Sequence, residues 1–482
     1  MKLCLINHSF RYEIEKLIRL FLPFEKLEYY DIDIIEDNTI STEIRENIAI
    51  AKVVIENKSV SYTEIISNAN DLKEQELRLA SALFSCFTEI TSYKPEWGML
   101  TGVRPAKLYS RLISEMGADK AEDYLKNTLK VSNSKLQLCK QTNISEKKII
   151  DLSDSNSFSL YISIPFCPSR CSYCSFVSHS VESARKLIPV YLEKLCEEIK
   201  ATADIARELK LSLKTVYIGG GTPTTLSAEQ LRQLMTVVSK NFDFSDLLEY
   251  TVEAGRPDTI TEDKLLVIKE LGATRISINP QTMNDSVLKT IGRRHTANDT
   301  VTAFNLARKC GHNNINMDLI AGLPSDTLES FKDTIYKILD LSPESVTVHS
   351  LSMKRSSTLN VKSLFPELQM GSIATDMVNF AYDKLTKANI MPYYMYRQSK
   401  TVGNLENVGY SKAGYESYYN VYIMDETHTI LACGASAVTK LREPNATNIS
   451  RIFNFKYPYE YINDFDVILQ RKSGIKDFYN KF

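Results

Sequence analysis

The sequence offers little with which to cross a membrane or to hold nucleic acid. None of its apolar runs reaches the roughly 18 residues that a transmembrane helix needs, so no membrane span is expected. Its 58 lysines and arginines are matched by 59 aspartates and glutamates, for a formal net charge of −1. A broad basic footprint for nucleic acid is therefore lacking. Met1–His8 has one lysine and no long apolar core, so no secretory signal is read there. Nine cysteines, an odd number, without such a signal argue against a disulfide framework and for a reducing, cytoplasmic setting. Tryptophan is nearly absent, one residue against 26 tyrosines. Tyrosine offers flat stacking area with a polar tip, although drift in composition explains the bias equally well. What remains is an ordinary globular composition, 43% apolar over 482 residues, enough for several domains.

One stretch organises the rest. Leu160–Ile164 reads as a strand, ends at Pro165, and is followed by Cys167, Cys171 and Cys174 in the spacing C-x3-C-x2-C. Three thiolates so close together can converge on one inorganic centre, and soft sulfur favours iron–sulfur clusters, zinc or copper(I). A structural zinc or an ordinary cubane asks for four protein ligands. No further cysteine or histidine is placed to complete such a set; His179 is near, but is the less economical fourth ligand. Three cysteines on a four-iron cluster leave one iron open to a small molecule. Zinc and three plain core cysteines are the alternatives.

Around this stretch the chain divides into three: 1–155, 156–364 and 365–482. The first reads as an α/β domain, with strands at Lys2–Asn7, Leu27–Ile34, Ile48–Glu56 and Val60–Ile66 and long helices at Phe10–Phe21, Leu72–Thr91 and Lys135–Asp151. The polar linker Asp151–Ser157 closes it. In the second, six strands alternate with helix-sized segments. They end at the cysteine loop, Gly219–Pro223, Glu253, Asn279–Gln281, Gly322–Pro324 and His349. Such alternation implies parallel right-handed units, too few for the closed eight-stranded barrel. The expected fold is α/β, a partial (β/α)6 barrel. Residues 365–482, with a helix at Ile373–Ala388 and an aromatic run at Pro392–Gln398, read as an α+β cap.

In parallel α/β folds, ligands gather where strands run into loops at the carboxyl edge. GGGTP, Gly219–Pro223, lets a ligand approach the backbone closely and leaves N–H groups for a charged end group; a tight turn is the plainer reading. Glu253 could accept from a ribose hydroxyl or an ammonium, or simply form a salt bridge. Gln281, Arg293 and Asp318 stand at or after later strand ends. Singly each is more often a solvated residue; together they point to a ligand site. In the first domain the string PEWGMLTGVRPAKL, with Trp97 and Arg104, is either a packed turn or a basic contact.

The cysteine spacing after a strand, with Tyr173 before the last cysteine, resembles the radical S-adenosylmethionine (radical SAM) superfamily. The wider string LYISIPFCPSRCSYCSF, with Tyr161 six residues before Cys167, resembles its oxygen-independent coproporphyrinogen III oxidase (coproporphyrinogen dehydrogenase) family. The strings EAGRP, INPQTMN, PYYMYRQ and GNLENVGY resemble the HemZ branch. The resemblance implies the partial-barrel fold and a 4Fe–4S cluster on Cys167, Cys171 and Cys174. It implies S-adenosylmethionine contacts at Tyr161, Tyr173, Gly220, Gly221, Thr222, Glu253, Gln281, Arg293 and Asp318. Cluster and S-adenosylmethionine, rather than a side chain, would carry catalysis. A 5′-deoxyadenosyl radical would take a hydrogen from a propionate β-carbon, and loss of an electron and carbon dioxide would leave a vinyl group. Twice repeated, coproporphyrinogen III becomes protoporphyrinogen IX, a step of haem biosynthesis. The implied partners are this tetrapyrrole and a reductant protein of the flavodoxin or ferredoxin type. Arg397, Arg294, His295 and Arg104 are candidates for the substrate carboxylates, and Tyr393, Tyr394 and Tyr396 for the macrocycle, with core packing the alternative. Well-known family members carry a further cysteine where this chain has Phe176. A haem-binding chaperone of the same superfamily, or a radical SAM enzyme acting on another tetrapyrrole, are the competing readings.

Overall fold

The computed structural model describes all residues except 24, 35, 103, 175–178, 353–363, 399–400 and 445, and the side chains of 183 and 364–370. The described residues form two compact units, one of 1–139 with 360–375 and 397–405, the other of 140–359 with 376–396 and 406–482. No helix among them is long and apolar enough to cross a membrane.

The first unit holds a five-stranded sheet, in the order Glu28–Tyr30, Lys2–Ile6, Thr39–Arg45, Ile48–Ile55, Lys58–Ile65. Helices Arg11–Phe21 and Leu72–Thr91 supply much of its core, with Phe21 stacked on Phe87 at 5.0 Å between ring centroids. The strand Thr39–Arg45 has no counterpart in the sequence reading. Its string TISTEIR lacks apolar alternation, yet Thr39, Ser41 and Thr42 are buried. β-Branched residues suit a strand, and the Thr42 hydroxyl donates to the Cys4 carbonyl at 3.2 Å. The next hairpin turns at Glu56 and Asn57, both with positive φ (51° and 61°), as a type I′ turn requires.

In the second unit six strands lie side by side in chain order, each parallel to the next. They are β1 (Ser157–Ile164), β2 (Ser212–Gly220), β3 (Glu249–Glu253), β4 (Arg275–Ser277), β5 (Ile315–Ala321) and β6 (Ser345–Ser350). Between them run α1 (Leu187–Glu208), α2 (Ala228–Asn241), α3 (Glu262–Glu270), α4 (Asp285–Thr290), α5 (Ala297–Lys309) and α6 (Leu328–Leu341). Helix starts are written locally: Ser227 and Gln230 form a capping box on α2, Thr296 and Asp299 on α5. The sheet stays open. The C-terminal strands β7 (Met391–Arg397) and β8 (Glu406–Ser411) extend it past β6. On the other side β9 (Thr429–Cys433), β10 (Val438–Arg442) and β11 (Ile449–Phe453) extend it past β1, to 11 strands. This is a partial (β/α)6 barrel with added α+β elements. The tyrosine-rich stretch Val408–Ile423 resolves into β8 and a helix, Tyr418–Asp425, capped by Ser417.

The strands alternate strictly. One face carries Leu160, Ile162, Val216, Ile218, Tyr250, Val252, Ile276, Met317, Leu319, Val346 and Val348, all buried. The other carries Tyr161, Tyr217, Thr251, Glu253, Ser277, Asp318, Thr347 and His349. A sheet with one apolar face buried under helices presents the other as a polar interior.

The far side of β1 is closed by a buried charge cluster. Glu198 of α1 and Lys472 of the helix Phe465–Tyr479 pair at 3.0 Å, and neither side chain is more than 2% exposed. Glu198 also accepts from Tyr461 (2.6 Å), Asn454 (2.8 Å) and the Gly434 N–H (2.7 Å). Removing one partner of such a pair strands a buried charge. Glu198→Ala is expected to lower the stability of this unit by about 3–5 kcal/mol, read from the urea midpoint; a change below about 1 kcal/mol would contradict the assignment.

Candidate functional site

β1 and β2 pair in parallel up to Ile164 and Gly220. The pairing continues past the strand ends: Gly221 N–H donates to the Ile164 carbonyl and Thr222 N–H to the Phe166 carbonyl, each at 2.8 Å. The glycine segment thus runs alongside the start of the cysteine loop. Gly220 has φ +110°, which favours glycine. A Cβ on Gly221 would stand 2.6 Å from the Phe166 carbonyl oxygen and 3.0 Å from Cys167 Sγ. The Thr222 hydroxyl donates to Cys167 Sγ at 3.5 Å. One expectation is corrected here. The Gly221 and Thr222 N–H groups are engaged by the cysteine loop, so they do not face a charged end group.

The rest of the loop is tied to itself and to the segment at the end of α4. Ser172 N–H donates to the Ile291 carbonyl at 3.1 Å, and Cys174 N–H to the Cys171 carbonyl at 3.2 Å. The Tyr173 hydroxyl accepts from Arg293 Nη2 at 2.9 Å and Nε at 3.3 Å. Burial pushes the Tyr173 phenol up, against the pull of Arg293. Burial alone would lower Arg293; Tyr173 and Cys171 outweigh it and hold the guanidinium firmly charged.

On the polar face, Tyr217 donates to Glu253 Oε1 at 2.5 Å. Burial, with the nearby Asp318 charge adding to it, pushes the Glu253 carboxyl up to about 7 although Tyr217 favours its ionised form. Asp318 moves the other way. Burial would raise it, but His349 (3.8 Å) and the Asn316 amide (2.7 Å) hold it below the ordinary carboxylate range. Two carboxyls on one face are thereby separated in acidity. Tyr161 and Tyr217 stack at 6.2 Å, and Tyr419, from the helix after β8, stacks on Tyr217 at 4.4 Å. Gln281 holds φ +71°, a conformation uncommon outside glycine. Its N–H donates to the Asp318 carbonyl at 2.9 Å and its carbonyl accepts from Ile320 at 3.0 Å, which prolongs the β4–β5 pairing.

The structure therefore brings Gly220, Gly221, Thr222, Tyr173 and Arg293 around the cysteine loop, and Tyr161, Glu253 and Asp318 onto the polar face. Other candidates go elsewhere. Arg397 is 3% exposed and donates to the carbonyls of Leu100 (2.6 Å), Gly102 (3.2 Å) and Asn404 (3.1 Å), all within the first unit. It ties down the turn after Trp97. Tyr393 and Tyr394 are core residues beside Ile149, Val421 and Tyr422. His295 is buried, 4.0 Å from Asp258, while Arg294 is exposed near Glu182. Arg104 lies in the first unit. Phe176 lies outside the described residues. Sequence reasoning missed Tyr217 and Arg256. The signal for Tyr217 was its position two residues before Gly219, on the same face as Glu253.

A cluster spreads its ligands over several irons. Three thiols from one loop, beside a glycine whose missing Cβ leaves room at Cys167, fit a cluster.

A sequence model of the radical SAM superfamily matches residues 161–338. The Bacillus subtilis (strain 168) protein named oxygen-independent coproporphyrinogen-III oxidase-like protein HemZ is 37% identical over 382 residues, 78% of this chain and 76% of that one. The chain belongs to this family of radical SAM proteins. The cofactors of the superfamily, a 4Fe–4S cluster and S-adenosylmethionine, are those of this chain. The heme chaperone HemW of the same bacterium is 36% identical over 287 residues, 58% of this chain and 70% of that one. The solved coproporphyrinogen III oxidase HemN from Escherichia coli, a radical SAM enzyme, shares the fold, with a TM-score of 0.50 at 22% identity, over 66% of this chain and 71% of that one.

Two outcomes follow from this geometry. Gly221→Ala forces the cysteine loop to shift and is expected to lower iron uptake on anaerobic reconstitution severalfold. Gly255→Ala, whose added Cβ would meet nothing closer than the Asn279 amide at 3.7 Å, leaves uptake unchanged; equal uptake by both variants would contradict the packing argument. Glu253 keeps its proton to about pH 7 in the folded chain, against an ordinary 4.5. Its contribution to stability is full below pH 4.5 and is lost as pH rises through 7. Thermal midpoints of cofactor-free protein across that window should fall with pH, and Glu253→Gln should remove that part of the slope.

Proposed function

We propose that this protein carries out the anaerobic oxidative decarboxylation of coproporphyrinogen III to protoporphyrinogen IX, in the cytoplasm, with electrons from a flavodoxin- or ferredoxin-type protein. The observation that carries the reading is the cysteine loop laced to the ends of β2 and β3 and to the segment at the end of α4, at the rim of a polar face holding Glu253 and Asp318. Cys167, Cys171 and Cys174 would hold the cluster, three ligands for four irons. When bound, the cofactors supply a 5′-deoxyadenosyl radical that abstracts hydrogen. The chain positions, buries and shields. With the N–H groups of Gly221 and Thr222 engaged, the glycine segment offers acceptors, which an ammonium group needs. Glu253 and Asp318, one readily protonated and one firmly ionised, can orient ribose hydroxyls and a cationic end group respectively. Arg293 and Tyr173 brace the loop between the cysteines. The stack of Tyr161, Tyr217 and Tyr419 closes the polar face beneath and keeps water from it.

A second reading, a haem-binding chaperone, is favoured by the likeness to HemW. The longer match, over 78% of the chain, is to the oxidase-like HemZ. The two readings part in an anaerobic turnover assay with reconstituted, reduced protein, S-adenosylmethionine and coproporphyrinogen III. Loss of two carboxyl groups per porphyrinogen, coupled to 5′-deoxyadenosine and abolished by Cys171→Ala, is the expected result. Stoichiometric haem binding with no decarboxylation would overturn the enzyme reading, and deoxyadenosine without porphyrinogen conversion would overturn the substrate.

A further inference from the structure

Arg256 follows Glu253 in the turn after β3 and is 4% exposed. Its guanidinium is divided between two tasks. Nε and Nη2 donate to the two oxygens of Asp258, each at 2.9 Å. Nη1 points to the cysteine loop, donating to the Ser169 carbonyl at 3.3 Å, the Ser169 hydroxyl at 3.1 Å and Cys171 Sγ at 3.7 Å. Because the fork is planar and rigid, the paired contact with Asp258 fixes where Nη1 points. The backbone of Arg256 is fixed as well. Its carbonyl accepts from the Thr259 hydroxyl at 2.8 Å, and that hydroxyl lies 2.6 Å from Thr224, just beyond the glycine segment. Arg256 therefore joins three strand-end loops and delivers one N–H to the middle cysteine.

The Asp258 carboxylate takes two of the five guanidinium N–H donors, and the nitrogen outside that pair is aimed at Ser169 and Cys171. Donation to a ligand sulfur, like a fixed positive charge nearby, stabilises the electron-rich form of a cluster and raises its potential. We propose that Arg256 is a positioning residue for the cluster, fixing the Cys171 thiolate and raising the reduction potential of the centre. The proposal rests on the three cysteines being the cluster ligands.

The test compares wild type with Arg256→Lys and Arg256→Met after anaerobic reconstitution. Iron and sulfide per chain, the midpoint potential by EPR-monitored titration, and the rate of iron loss to a chelator are measured, and melting of the cofactor-free proteins reports folding. Lysine keeps the charge but cannot serve Asp258 with two donors and Cys171 with a third. Both variants are expected to take up iron. The methionine variant should have the most negative potential and the lysine variant an intermediate one, with iron lost roughly tenfold faster from the methionine variant. Wild-type potential and wild-type iron retention in the folded lysine variant would overturn the proposal, as would the same result in a folded methionine variant. Failure of wild type to take up iron would instead sink the cluster assignment beneath it.

Discussion

The carbonyls of Ile164 and Phe166, each accepting a backbone N–H from the glycine segment, set the relation between cysteine loop and barrel. The two loops lie too close for a Cβ at position 221. The first cysteine cannot move without carrying the end of β2 with it. Ser172 is tied to Ile291, at the C-terminal end of α4, which anchors the far side of the loop. A ligand loop of this length would otherwise be mobile; here backbone bonding to the end of β2 and to the C-terminal end of α4 pre-organises it.

The second constraint is the division of the sheet into an apolar and a polar face. Helices cover the first, and their burial drives folding. The second then has to be polar without being wet, which raises the stake of every ionisable group on it. Glu253 answers by holding its proton to about pH 7, while Asp318 stays ionised because His349 and Asn316 compensate its burial. Tyrosine serves this face well, because its rings pack against each other while a hydroxyl reaches Glu253. The tyrosine surplus thus has one structural use in this stack and another in the core around Tyr393 and Tyr394.

What could be read from the sequence was local. The strand before Pro165, the cysteine spacing and the glycine segment depend on neighbours a few residues away, and the structure carries them. The strand Thr39–Arg45 was not legible, because buried threonine and serine mimic a polar loop. Arg397 was read only as a candidate for a substrate carboxylate, and its carbonyl partner at Leu100, 297 positions away, could not be read from the sequence. Arg256 stands 85 residues from Cys171 and was visible only as part of the string EAGRP. The glycine segment was legible as a close approach, but not the sense of its hydrogen bonds. Its N–H groups serve the protein and not a ligand.

The central claim is that three thiols of one loop carry a four-iron cluster with one iron left open. Mössbauer spectroscopy of the anaerobically reconstituted protein tests it most directly, recorded with and without S-adenosylmethionine. The account predicts about four irons per chain, one of which changes its isomer shift when S-adenosylmethionine is added. Irons that all stay equivalent under S-adenosylmethionine, or a protein that retains zinc in place of iron, would contradict it.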